Sequence, residues 1–404
     1  MKTLILHIGT PKTGTTSIQN FCGLNRERLD ELGIHYPIMP YRYPRVNVNR
    51  NGHFLVGAVK IDSEGHRDKE KEKEIFSQEL KNLAKLFKEH NTIVLSEESI
   101  WMIAATRKKG LWKTLKKHSE KHNYQIKVIV YLRRQDQFLL SRYNQKLKTD
   151  VVASVRRFDR YMKTMNGRYK PTLFYRERLD DIAKFIPKEN IIVRRFDRKY
   201  FYNGSLTDDF LHILGIEIDE TFAPLEEKAN VGISVQSGEI KRVLNRLKPI
   251  SFTDNNKLIE ILNECEELLP ESNTELMSTE EVKTFMGQFI EGNESIVADY
   301  IGDDAPLFDY TYKEATAWNY NDPNYHEEVI LFFAKVIDSV YKENLQLKAE
   351  NKTLNNNIEK INKQITQIND RLTKEKSYSR ETRYLLKHPI SSLFRKIIGC
   401  FKKK

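Results

Sequence analysis

An apolar run, Leu4 to Ile8, leads directly into Gly9-Thr10-Pro11-Lys12-Thr13-Gly14-Thr15-Thr16-Ser17 and then into Ile18-Gln19-Asn20-Phe21, which has the character of a helix. A strand, a glycine-bounded loop and a helix start bring backbone N–H groups and the helix N-terminus together on a phosphate. Gly9 and Gly14 permit the tight turn, Lys12 can reach into the loop, and the hydroxyls of Thr15, Thr16 and Ser17 add donors. An ordinary capped turn needs neither the lysine nor both glycines. The loop departs from the GxxxxGK[ST] pattern, in which Lys follows the second Gly and the next hydroxyl holds magnesium. Here Thr15 follows Gly14 and the lysine stands at position 12. Nor is an apolar strand read as ending in an acidic residue of the metal-holding type, since Lys127 to Leu132 ends in Arg133-Arg134. The chemistry expected is a phosphate met by lysine, amides and hydroxyls, with no metal.

A second constellation follows: Val128-Ile129-Val130-Tyr131-Leu132-Arg133-Arg134, then Gln135-Asp136-Gln137-Phe138-Leu139-Leu140-Ser141. A forked guanidinium leaves a strand end at Arg133, and Ser141 stands about two helical turns on, where it could donate to the same phosphate. The first loop, from His7 to Thr16, resembles the 5′-phosphosulfate loop of sulfotransferases that use 3′-phosphoadenosine 5′-phosphosulfate (PAPS). The Arg133 to Ser141 segment is similar to that family's 3′-phosphate motif. Asn190 to Asp197, with Gly204-Ser205-Leu206 and Asp209-Phe210-Leu211, resembles a later strand and helix of bacterial carbohydrate sulfotransferases. The resemblance covers about residues 1 to 245. It implies a doubly wound, mostly parallel α/β sheet of P-loop sulfotransferase type and PAPS as sulfonate donor with no metal required. It also implies in-line transfer to a hydroxyl or amine of a glycan or glycolipid. Gly9, Thr10, Pro11, Lys12, Thr13, Gly14, Thr15, Thr16, Ser17, Arg133 and Ser141 would hold the donor, with Lys12 also stabilising the leaving phosphate.

The acceptor must lose a proton, so a base is needed. His53 in Asn51-Gly52-His53-Phe54-Leu55 resembles a His-centred segment of some glycan-modifying members. Glu98 and Glu97 follow the strand Thr92 to Leu95; their side chains point opposite ways if extended, so one of them faces the cleft. All three stay open as the base, in the order His53, Glu98, Glu97. Lys228, Asn230 and Ser234 fall where relatives bring a late loop over the nucleotide, but the RKGxxG loop of small-molecule sulfotransferases is missing, which points away from phenol or steroid acceptors. Arg134, Arg156, Arg157, Arg160 and Arg168 could meet an anionic acceptor or form a solvated surface.

These residues need positioning elements. Leu4 to Ile8, Thr92 to Leu95, Lys127 to Leu132 and Asn190 to Arg195 read as buried strands. Glu74 to His90 and Leu111 to His122 carry helical apolar spacing between them. Alternating strands and helices predict a parallel sheet covered on both faces. The sheet domain is expected over 1–225. Residues 226–340 are read as a mainly helical extension or separate domain, with Val243 to Leu247 and Leu258 to Leu269 as helix candidates. A heptad seam puts Asn344, Asn351, Ile358, Ile365 and Leu372 at a and Leu347, Leu354, Ile361 and Ile368 at d, so 341–376 reads as a coiled coil that makes a homodimer. A helix lying on its own body is the alternative. In 377–404, Ile390, Leu393, Phe394, Ile397, Ile398 and Phe401 share one stripe beside cations, which fits an anionic membrane surface or a packed terminal helix.

Charge supports this division. The formal net charge is +11. Thr373 to Lys404 holds ten basic and two acidic residues, a net of +8, leaving +3 for the rest. A body so nearly balanced argues against a nucleic-acid polymer as partner. Three scattered cysteines (Cys22, Cys265, Cys400) offer no disulfide framework, and no apolar run is long enough to span a membrane. A cytoplasmic protein, or one peripheral on the cytoplasmic face of a membrane, is expected. The competing expectation is a non-catalytic or kinase-like nucleotide-binding protein that acts as a coiled-coil scaffold.

Overall fold

The computed structural model describes residues 1–60, 66–106, 110–149, 156–167, 170–225, 233–245, 255–266, 273–321 and 324–401. Lys228, Asn230, Arg168 and Lys402 to Lys404 lie outside these, as do the ends of two helix candidates, 246–247 and 267–269. The chain forms two compact units, Met1–Glu328 and Val329–Lys404.

The first unit is built on a five-stranded parallel sheet. Its strands are β1 (Lys2–His7), β2 (Ile34–His35), β3 (Thr92–Ser96), β4 (Tyr124–Leu132) and β5 (Ile191–Arg195), in the spatial order β2-β3-β1-β4-β5. Only β2 escaped the sequence reading; two residues are too few for a periodic signal. Side-chain alternation along β1 explains the layering. Leu4, Leu6 and Ile8 enter one core with Ile93, Leu95, Val128 and Val130, under the helices Lys69–Glu89, Leu111–His122 and Gln135–Thr149. Ile5 enters the opposite core with Val94, Ile129 and Tyr131, under helix α1 (Thr15–Leu24) and helix Leu206–Ile213. A sheet buried on both faces requires the near-continuous apolar strands seen here.

Residues beyond 225 complete the first core: Met277, Phe285, Met286, Phe289, Leu307 and Phe308 belong to it. Helix Asn255–Glu266 overlaps the candidate Leu258 to Leu269, whereas helix Val235–Leu244, capped by Ser234 accepting from the Ser237 amide, shares only Val243 and Leu244 with the candidate Val243 to Leu247. The order of strands has one functional consequence. From the central β1 the chain builds outward to β3 and β2 on one side and to β4 and β5 on the other. The carboxyl ends of β1, β3 and β4 therefore border a crevice at the switch point, where ligands bind in open α/β sheets.

The second unit is dominated by the 64-residue helix Asn324–Lys387, most of which it contains, followed by helix Pro389–Phe401. Leu347, Leu354, Ile358, Ile361, Ile365, Ile368 and Leu372 are all exposed on it, as are Ile390, Leu393, Phe394 and Ile398.

Candidate functional site

The loop after β1 is held by main-chain geometry. Ile8 N–H donates to Ile129 O at 3.0 Å, and Thr10 donates to Tyr131 O through both its amide (3.2 Å) and its hydroxyl (3.0 Å). The Thr13 hydroxyl closes the turn on Thr10 O at 2.6 Å. Gly9 takes φ +26°, Lys12 φ +74° and Gly14 φ +66°, so the chain takes positive φ three times before α1 begins. A Cβ at Gly14 would also stand 2.2 Å from Leu206 Cδ2. No side chain caps α1, so its first amides face the loop uncapped. Thr15 is buried and, among the described residues, neither its hydroxyl nor His7 Nε2 has a hydrogen-bond partner. Buried donors of this kind are normally satisfied, and a bound anion would satisfy the Thr15 hydroxyl.

Arg133 leaves β4 toward this loop. Its Nη1 donates to Lys12 O at 3.1 Å, its guanidinium lies over the Phe196 ring at 5.8 Å, and its carbonyl accepts from Tyr175 OH at 2.8 Å. Burial lowers the pKa of both Lys12 and Arg133; Glu98 opposes this at Lys12, while the nearby Arg133 cation adds to it. Among the described residues neither cation forms a salt bridge. Two adjacent, partly desolvated cations outside any salt bridge are chemically suited to a polyanion. Ser141 is half-buried on helix Gln135–Thr149 and bonds to neither Arg133 nor the loop among the described residues. Pro11, Thr16 and Ser17 lie on the loop and the first turn of α1, where Ser17 N–H donates to Gly14 O.

On the other side of β1, the end of β3 carries Glu97. Its side chain is fully buried, yet it remains a carboxylate. Burial alone would raise its pKa, but a hydrogen bond from His53 and the charge of Arg50 outweigh that and hold it at about 2. Arg50 Nη2 reaches Oε1 at 2.5 Å and Arg50 Nε reaches Oε2 at 3.2 Å, while Ser99 N–H donates to Oε1 at 2.8 Å. His53 Nδ1 meets Oε2 at 2.7 Å. A carboxylate at that distance fixes the tautomer with the proton on Nδ1, leaving the Nε2 lone pair as the basic position. Tyr43 packs edge-on against the imidazole at 4.7 Å. Both oxygens of Glu97 are thus taken by hydrogen bonds, one of them from the His53 ring. Glu98 is half-exposed and acts electrostatically on both Lys12 and Arg50.

The segment carrying Arg50 and His53 is pinned to the sheet. Asn51 Nδ2 donates to Val94 O at 3.0 Å and Pro37 O at 3.1 Å, and its Oδ1 accepts from Ser96 N–H at 2.8 Å. Gly52 comes so close to the strand end that a Cβ there would lie 3.1 Å from Glu97 Cβ. Arg50 and Asn51 were not singled out by chemistry in the sequence. The available signal was Arg50-Asn51-Gly52-His53 as a unit, a cation and an amide flanking a glycine that permits close approach. An acid, Glu97, directly follows β3, and both of its oxygens are taken by an arginine, a histidine and an amide.

Arg134 is committed to structure: it pairs with Asp136 at 2.8 Å and donates to the carbonyls of Asp309 and Thr311. Arg156, Arg157 and Arg160 are exposed, with Arg157 over Tyr320 at 4.3 Å. A cavity of about 420 Å³, walled by Phe196, Tyr200, Phe308 and Tyr312 among others, shares the Phe196 ring with Arg133.

No family model matches the chain. Over 176 residues it is 31% identical to a protein of Archaeoglobus fulgidus described only as uncharacterized, a match covering 44% of this chain and 46% of that one. The chain thus spans about half the length of that curated relative. Among solved structures, a sulfotransferase from Alicyclobacillus acidocaldarius aligns with 74% of this chain and 96% of its own, at a TM-score of 0.37 and 13% identity. A likeness at that level carries no argument about activity.

The Glu97 network predicts an acid-sensitive fold. A carboxyl whose pKa is depressed by folding contributes stability above its unfolded value of about 4.5 and loses it as pH falls toward about 2. Glu97→Gln should cost about 3–5 kcal/mol at neutral pH, because it leaves Arg50 facing a neutral amide. Urea unfolding from pH 6 to pH 2.5 should show the acid loss in the parent and a shallower one in the variant; equal slopes would contradict the pairing.

Proposed function

We propose that this protein is a PAPS-dependent sulfotransferase. The observation that carries the reading is the pair of cations, Lys12 and Arg133, beside an uncapped helix start and an unsatisfied Thr15 hydroxyl at the switch-point crevice. Such a site suits a donor with two phosphate-type groups. The loop amides, Lys12 and Thr15 would meet the 5′-phosphosulfate, and Arg133 the 3′-phosphate. The rings of the adjoining cavity offer a surface for the base. A role for Ser141 at the 3′-phosphate rests on the sequence resemblance alone.

The chemistry is an exchange of one bond. An acceptor hydroxyl attacks sulfur, the new oxygen–sulfur bond forms, and the bond from sulfur to the bridging phosphate oxygen breaks. His53 takes the acceptor proton on Nε2, and Glu97 stabilises the resulting imidazolium through Nδ1–H. Negative charge gathers on the departing phosphate, where Lys12 opposes it. Glu98, half-exposed and acting electrostatically on Lys12, is the second choice for the base. The acceptor is proposed to be a glycan or glycolipid. A kinase-like scaffold is the weaker reading, because Glu97 is unavailable to magnesium and Thr15 stands where a triphosphatase has its lysine.

We also assign the second unit to assembly. Its exposed heptad seam would pair with a second copy, and the apolar stripe around Phe394 would lie on an anionic cytoplasmic membrane face. No helix among the described residues is long and apolar enough to cross a membrane. Sedimentation of the full chain should give a dimer that Ile358→Asp with Ile365→Asp makes monomeric. Phosphatidylserine vesicles should pellet the parent but not Phe394→Asp with Ile398→Asp. An unchanged mass or unchanged pelleting would refute the corresponding assignment.

The nucleotide site is tested by calorimetric titration with 3′-phosphoadenosine 5′-phosphate in EDTA. Binding should be retained without metal and weakened at least about tenfold by Lys12→Ala and by Arg133→Ala. Binding only to a triphosphate, and only with magnesium, would overturn the reading.

A further inference from the structure

At the opposite end of the sheet from the crevice, three separate elements bring metal-ligating side chains together. Asp30 lies in helix Arg26–Glu31, His35 in β2, and His90 at the end of helix Lys69–Glu89, just before β3. His35 Nδ1 is 2.7 Å from Asp30 Oδ1, and His90 Nδ1 is 4.0 Å from the same oxygen. The two imidazole rings are stacked, with centroids 3.7 Å apart and planes 9° from parallel. One potential ligand atom from each residue lies within 4.8 Å of the others. Asp30 is exposed and both histidines are half-buried, so the cluster is open to solvent.

A hydrogen bond accounts for only part of this arrangement. The Asp30 oxygen satisfies His35, while His90 at 4.0 Å is beyond hydrogen-bond range of it. Yet its ring is held face to face with the other imidazole and its Nδ1 faces the same carboxylate. We propose that Asp30, His35 and His90 form a binding site for a borderline divalent transition ion such as Zn²⁺. Two imidazoles and a carboxylate are a donor set for Zn²⁺, Co²⁺ or Ni²⁺, whereas Ca²⁺ and Mg²⁺ demand oxygen ligands. Zinc–ligand bonds near 2.0–2.1 Å hold ligands roughly 3.4 Å apart, so closure takes shifts of roughly an ångström together with rotation of the rings out of their parallel stack, since the ion lies in the plane of each imidazole that binds it. Solvent completes the coordination.

The site does not depend on the sulfotransferase reading, since it lies at the amino ends of the strands and uses none of the crevice residues. Its effect would be structural. β2 is a two-residue edge strand, joined to β3 through Ile34 and His35. A metal clip between Asp30, His35 and His90 would fasten that edge, and the helix before it, to the turn that begins β3. Such a clip closes a loop of more than fifty residues and stabilises the native state when the ion binds.

The test uses the full chain, stripped with chelator and dialysed. Calorimetry with Zn²⁺ alone should give one site per chain, and Zn²⁺ should raise the melting temperature. His35→Gln with His90→Gln should abolish both effects, and Asp30→Asn should weaken binding at least about tenfold. His118→Gln, in the other neighbouring histidine pair, should leave the titration unchanged. Circular dichroism of the variants guards against misfolding. No binding by the parent at about 100 µM Zn²⁺ would overturn the proposal. So would equal binding by the double variant, or loss of the site in His118→Gln instead.

Discussion

The crevice depends on one buried charge. Glu97 has no exposure to solvent and cannot stand as a carboxylate without partners, because an isolated buried ion costs far more than a fold can supply. Its partners are Arg50, His53 and the Ser99 amide, and two of these come from a single turn of chain laid across the end of β3. Satisfying the carboxylate therefore places that turn, and placing the turn sets the imidazole. Asn51 reinforces the geometry by bonding the backbone of β3 from between them. The same contacts that make Glu97 tolerable hold the His53 ring with its Nδ1 on the carboxylate.

The other half of the crevice follows the opposite logic. Lys12 and Arg133 form no salt bridge among the described residues, and burial disfavours each charge, although Glu98 acts on Lys12 and Asp136 on Arg133 at longer range. The fold bears this cost because the loop is fixed elsewhere, by Thr10 on β4 and by Gly14 against Leu206. The region thus satisfies its buried acid by direct hydrogen bonds while its two cations carry no such pairing among the described residues. Glu98, within electrostatic reach of both Lys12 and Arg50, connects the two halves.

Much of this was legible in the sequence because it is local. β1, β3, β4 and β5 carry apolar runs, and the loop has its glycines and lysine in adjacent positions. The long helix is written in heptads. What could not be read is what depends on distant pairing. Arg50 gains its meaning only from Glu97, 47 residues on, and Glu97 and Glu98 differ by which face of a strand end they occupy. Sequence alternation predicted that their directions diverge but not that the buried one would serve the histidine. Asp30, His35 and His90 converge only because β2 pairs beside β3, and β2 is too short to announce itself. Ser141 shows the reverse: its spacing is suggestive, yet no hydrogen bond joins it to Arg133.

The central claim is that this crevice moves a sulfonate group without a metal, with His53 as the base. The most direct measurement is transfer of labelled sulfonate from PAPS to envelope polysaccharide fractions, in EDTA, by the parent chain and by His53→Ala. The account predicts transfer by the parent and a loss of about a hundredfold or more in the variant, with nucleotide binding intact. No transfer to any fraction by the parent, or equal transfer by the two proteins, would contradict it.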